Sequence, residues 1–195
     1  TRSISGSWRL NGKIQPHVPK TATNRNFAYN DINTFFDQEY MMLLSDLDSV
    51  WHERVLTGAN FNAVNFKPDF WLVNGRAFPD TLRPHPQTFP VDSDPNLTQI
   101  NYDSYVHIKT GDHFLLRMIN MGYQVVPWHI HGWHFAIIGK DSSPSPFLRI
   151  NRQLGFMEML HEGLERGFTV TIGSGETYDL LLMADDKRPI YRNYI

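Results

Sequence analysis

Two histidines with one residue between them, His129 and His131, are the residues whose type and spacing point most directly to chemistry. In an extended strand, alternate side chains project to the same face, so both imidazoles would emerge together, roughly 6–7 Å apart at their bases. That separation suits two ligands of one metal, or ligands of two adjacent metals. Neutral imidazole serves copper, zinc, iron and nickel. Gly132 follows and leaves room for a second backbone or a ligand. Standing against this is the plain alternative of two ordinary histidines in an aromatic strand. His134 has the opposite parity and faces away in a regular strand; only a bulge at Gly132 would turn it back.

The remaining histidines have weaker claims. His107 and His113 flank a Thr-Gly-Asp turn and read as surface residues, and His17, His52 and His85 fall in or near loops. His161 and Glu162 lie in a short segment with weak helical character. Among the seven methionines, Met41, Met42, Met118 and Met183 fall in expected strands, where filling gaps in a core is the ordinary use. No residue stands out as a catalytic acid, base or nucleophile. No Gly-x-Ser-x-Gly, phosphate-binding loop or paired-carboxylate arrangement is present.

Short strands must position the histidine pair. EYMMLLSDL (39–47) reads as one strand, and DFWLVNG (69–75) as another that ends in an Asn-Gly turn. SYVHIKTGDHFLLRMIN (104–120) reads as two strands around Thr110-Gly111-Asp112. VVPWHIHGWHFAIIGKD (125–141) is one β-rich run. GFTVTIGSGETYDLLLMAD (167–185) reads as a hairpin around Gly173-Ser174-Gly175. Residues 79–99 carry five prolines and form a loop, and only 151–166 could be a short helix. Many short strands with Gly/Pro turns and no βαβ alternation predict an all-β sandwich or barrel.

Composition narrows the class of function. The 195 residues are 41% hydrophobic and 19% charged, which is globular in character and enough for one domain. A net charge of -2 gives no electrostatic case for nucleic acid or an anionic membrane surface. No apolar run approaches the ~18 residues of a membrane span. There is no cysteine, so thiol catalysis and thiolate metal sites are excluded. The chain opens on Thr1 without a visible signal peptide and is read as a processed chain or a piece of a longer one. Residues 1–30 are polar and read as a connector or arm, and 31–195 as the domain.

Four segments, in order, resemble the multicopper oxidase family. Pro127–Gly139 (PWHIHGWHFAIIG) is similar to the family's copper-binding strand. Asp69–Thr81 (DFWLVNGRAFPDT) resembles its "INGR…P" strand and turn. Gly111–Gly122 (GDHFLLRMINMG) resembles its "G…RxxN-G" strand, and Thr169–Asp185 (TVTIGSGETYDLLLMAD) its "GxGExYDxxxxA" hairpin. The resemblance implies a cupredoxin-like Greek-key β-sandwich. It further implies that His129 and His131 are metal ligands at a type 2/type 3 copper site. Arg117, Asn120, Tyr178 and Asp179 would be scaffold residues.

Departures from the pattern shape the expectation. The position where the family carries its type 1 copper histidine is Val126, and the thiolate that a type 1 copper needs is missing. The family's trinuclear cluster draws His-x-His pairs from two domains, and this chain has one pair. The chain also ends at Ile195, near where a last strand with a second pair would be expected, so the domain is read as incomplete at that end. The resemblance therefore implies a segment of a copper-dependent oxidoreductase, not complete on its own. Its partners would be other cupredoxin domains or subunits that complete the site, and its substrate a small molecule or metal ion. The location would be extracellular or periplasmic. The alternative is a non-catalytic cupredoxin-like domain with a vestigial site. Cupins also carry His-x-His on a strand, with a carboxylate four or five residues on. Those positions here are Phe135 and Ala136, which argues against a cupin.

Overall fold

The computed structural model describes residues 26–29, 34–82, 104–150 and 164–187. The arm before Asn26, most of the proline-rich loop and most of the possible helix at 151–166 lie outside the described residues, as do His17, His85, His161 and Glu162.

The described residues form an all-β fold. In chain order its elements are β1 (Asn26–Phe27), β2 (Phe35–Phe36), β3 (Gln38–Leu47), α1 (Ser49–Thr57), β4 (Phe70–Val73), β5 (His113–Asn120), β6 (Val126–His129), β7 (Phe135–Lys140), β8 (Ser143–Pro144), α2 (Phe147–Ile150), β9 (Arg166–Gly167), β10 (Thr169–Ile172) and β11 (Thr177–Met183). The large sheet runs β4-β3-β5-β11-β7-β8, with β9 also on β7. β3 and β5 are parallel, and the other pairs are antiparallel. β6 and β10 form a separate two-stranded sheet.

Period-two patterning explains the layers. Met42, Leu44, Phe114, Leu116, Met118, Phe135, Leu180 and Leu182 line one face of the large sheet. Val170 and Ile172 from the small sheet pack against that face, with Val126, Trp128 and Ile130 alongside. The opposite face of the large sheet presents Leu115, Ala136, Ile138 and Leu181 and is covered by Ala28, Phe36, Leu148 and Leu164. The chain crosses between sheets from β5 to β6, back to β7, and again at β10 and β11. These crossings give the Greek-key sandwich expected from the sequence. The methionines expected in strands are there, with Met42 and Met118 in the core.

Four sequence expectations need correction. The segment 104–112 is not a strand. Val106 and Ile108 still reach the core, so their alternation is satisfied without ladder bonds. The run 125–141 is two strands on different sheets, interrupted at 130–134. The turn at Gly173–Gly175 does not close a hairpin, because β10 pairs with β6 while β11 pairs with β5 and β7. Last, His52 sits on a helix that the sequence reading passed over. Asp48 caps α1 by accepting from the Trp51 N–H at 2.9 Å, and Gly58 ends it in the left-handed region. No residue of α1 is buried, so there was no apolar stripe to read.

The scaffold residues act as expected. Asn120 is wholly buried. Its amide donates to the carbonyls of Gln124 (2.8 Å) and Ile172 (3.0 Å), and its oxygen accepts from the Gly122 N–H (3.0 Å). The bond to Ile172 ties the end of β5 to the small sheet. Asn120→Ala leaves the buried Ile172 carbonyl and Gly122 N–H without this partner, and should cost about 2–3 kcal/mol in urea unfolding. Arg117 bridges Glu39 of β3 and Asp179 of β11, and the Tyr29 hydroxyl donates to the same Asp179. Gly139 makes this possible: a Cβ there would overlap the Tyr29 ring. Burial, then the negative charge of Asp179, holds the Tyr29 phenol above its ordinary range. Its folded value is raised, so its contribution to stability is complete below about pH 10 and falls as pH rises beyond. Urea midpoints compared at pH 8 and pH 11 should fall less in Tyr29→Phe than in wild type.

Candidate metal-ligand pair on the small sheet

β6 alternates cleanly. Val126, Trp128 and Ile130 face the core, so Pro127 and His129 face outward. The strand ends at His129, but the Ile130 N–H still donates to the Phe168 carbonyl at 2.9 Å, which extends the alternation by one step. His131 thereby also falls on the outer side. The two rings meet at 4.9 Å between centroids, inclined at 70°. Both side chains are exposed.

Gly132 then resets the phase. Its φ is +87°, a conformation costly for any residue with a Cβ. A Cβ there would meet nothing within 4 Å in this chain, so it is the turn that calls for glycine here. Before the turn, even-numbered residues face the core; after it, Trp133 and Phe135 do. His134 therefore turns outward and packs on the Phe168 ring at 4.4 Å. The chain is therefore not a regular strand at His134, whose ring shares the Phe168 ring with His129. Gly132→Ala should cost about 1 kcal/mol of stability and displace His131, which histidine proton shifts would report.

Phe168 and Thr169 are the residues that sequence reasoning missed. β9 pairs with β7 in the large sheet and β10 pairs with β6 in the small one, so the chain changes sheets at Phe168. The Phe168 ring is half exposed and also lies 6.1 Å from His129. Thr169 sits directly opposite His129 in the β6–β10 register. Its Oγ1 is 2.7 Å from His129 Nδ1. Nothing in the sequence pairs residues 40 apart, and neither carries a motif of its own.

The other described histidines form no metal-holding group with the pair. His107 is exposed, as expected. His113 is not a free surface residue: it opens β5 half-buried, with its ring 5.1 Å from Phe35 and its backbone N–H donating to Asp37 at 2.7 Å. Among the described residues, no group of three or more His, Cys, Asp or Glu is placed to hold a metal. None of their helices is long and apolar enough to cross a membrane.

The described residues thus define an all-β sandwich bearing an exposed histidine pair on the outer face of its smaller sheet. Solved structures similar to this chain are multicopper oxidases. The blue copper oxidase from Nitrosomonas europaea is 25% identical over 76% of this chain and 34% of its own, with a TM-score of 0.49. The laccase from Botrytis aclada is 18% identical over 80% and 25%, with a TM-score of 0.48. Fet3p, a multicopper oxidase that functions in iron import, is 14% identical over 79% and 22%, with a TM-score of 0.46. The chain spans between 22% and 34% of the length of these proteins. No family model and no curated protein sequence matches it.

Proposed function

We propose that residues 31–195 form a cupredoxin-like domain of a copper-dependent oxidoreductase of the multicopper oxidase type, and that His129 and His131 are its contribution to a type 2/type 3 copper site. The observation that carries this reading is the pair of exposed rings 4.9 Å apart on one outer face. Two neutral imidazoles on a surface fit copper as part of a ligand set. With no third donor grouped beside them among the described residues, the remaining ligands come from another domain or subunit. Copper, when bound, supplies the one-electron steps that carry electrons from a reducing substrate to dioxygen. The chain's own part is to hold two rings on a sheet, with Phe168 beside His129. An extracellular or periplasmic location accompanies this reading.

One further reading has support of its own. Val126 stands where the family carries a type 1 ligand and cysteine is absent, which favours a non-catalytic domain with a vestigial site. Both readings share one spectroscopic expectation. Without a thiolate, the protein chain loaded with Cu(II) should show no intense blue absorption. A strong blue band from this chain alone would contradict the ligand assignment. The two readings separate on copper titration of the chain with and without the domain or subunit that adjoins it: site completion predicts tighter copper binding only when both are present.

A further inference from the structure

We propose that Thr169 is a positioning residue. Its hydroxyl accepts a hydrogen bond from His129 Nδ1–H and fixes the ring with Nε2 as the one nitrogen open to a metal. The inference rests on the copper reading for its purpose, but not for its geometry. The β6–β10 register sets Thr169 directly across from His129, and both lie on the outer face of the small sheet. Oγ1 and Nδ1 are 2.7 Å apart, within ordinary hydrogen-bond distance. A hydroxyl can rotate either to donate or to accept. A neutral imidazole whose Nδ1 carries the proton keeps its lone pair on Nε2, and metal-binding histidines characteristically donate their other N–H in this way. The arrangement also selects between the two histidines, because only His129 has a cross-strand partner for its ring nitrogen among the described hydrogen bonds.

The test begins with the metal-free protein. Nitrogen-15 shifts of the His129 ring at about pH 8.5, well above the ordinary imidazole value, report which nitrogen carries the proton. Wild type should be mainly the Nδ1–H form. Thr169→Val, which keeps the β-branched shape on an exposed strand position, should move His129 toward the Nε2–H form that a solvated ring prefers, and Thr169→Ser should restore the Nδ1–H form. Cu(II) titration of the protein with its adjoining domain should show about tenfold weaker binding in Thr169→Val and near wild-type binding in Thr169→Ser. A wild-type ring in the Nε2–H form, or a tautomer unmoved by Thr169→Val, overturns the inference. Equal copper affinity in wild type and Thr169→Val removes its metal role. If the tautomer responds as expected while wild type binds no copper, the copper reading fails and the positioning by Thr169 stands.

Discussion

Replacing Arg117 with methionine should destabilise the protein by about 3–5 kcal/mol, the usual cost of removing one partner from a buried ion pair. The guanidinium is 9% exposed and joins Glu39, 5% exposed, to Asp179, 13% exposed. Methionine fills much of the same volume but leaves two carboxylates facing each other in a poorly solvated layer. Glu39 and Asp179 belong to strands on either side of β5, so the loss falls at the middle of the large sheet. Urea unfolding followed by circular dichroism measures the effect. A triple variant that also carries Glu39→Gln and Asp179→Asn should recover part of the loss, because the charges that became unpaired are gone. A loss of under about 1 kcal/mol in Arg117→Met would place this cluster among weak surface pairs instead.

The second large effect concerns the histidine pair. His129→Ala together with His131→Ala, made in the full-length protein or its assembled complex, should leave folding nearly intact, because both side chains are exposed on the outer face of the small sheet. Unfolding midpoints should shift by no more than surface substitutions ordinarily do, about 0.5 kcal/mol. Turnover with dioxygen should fall by at least about a hundredfold, the larger end of what loss of a supporting residue costs, since here the ligands themselves are removed. Copper per molecule should fall with it. Wild-type turnover and copper in the double variant would make the pair a relic and favour the architectural reading.

The sequence made much of the core legible. Apolar runs in QEYMMLLSDL, HFLLRMIN and TYDLLLM place the central strands of the large sheet, and Asn74-Gly75 marks a tight turn, with positive φ at both residues. Sheet assignment was less legible. A Gly-rich turn between two apolar runs reads as a hairpin whether its strands share a sheet or cross between sheets, and at Gly173–Gly175 they cross. Local pattern carries no information on that choice, which is settled by whether Val170 and Ile172 have a second layer to cover. α1 was hidden for a related reason: no buried stripe joins its caps, Asp48 and Gly58.

At the candidate site, strand parity predicted that His129 and His131 share a face, and that expectation rests on Val126, Trp128 and Ile130 all facing inward. Parity does not carry past Gly132, which turns the chain at φ +87°, and so does not place His134. Phe168 and Thr169 were out of reach, since their place beside His129 follows from the β6–β10 register, a tertiary fact.

An anomalous-difference map recorded at the copper absorption edge, from crystals of the copper-loaded full-length protein or complex, tests the central claim most directly. The account predicts a copper peak in contact with both rings, bound to His129 through Nε2, with further ligands contributed from outside residues 26–187. Copper elsewhere in the crystal with none at His129 and His131, or a protein that takes up no copper under loading conditions, would contradict it.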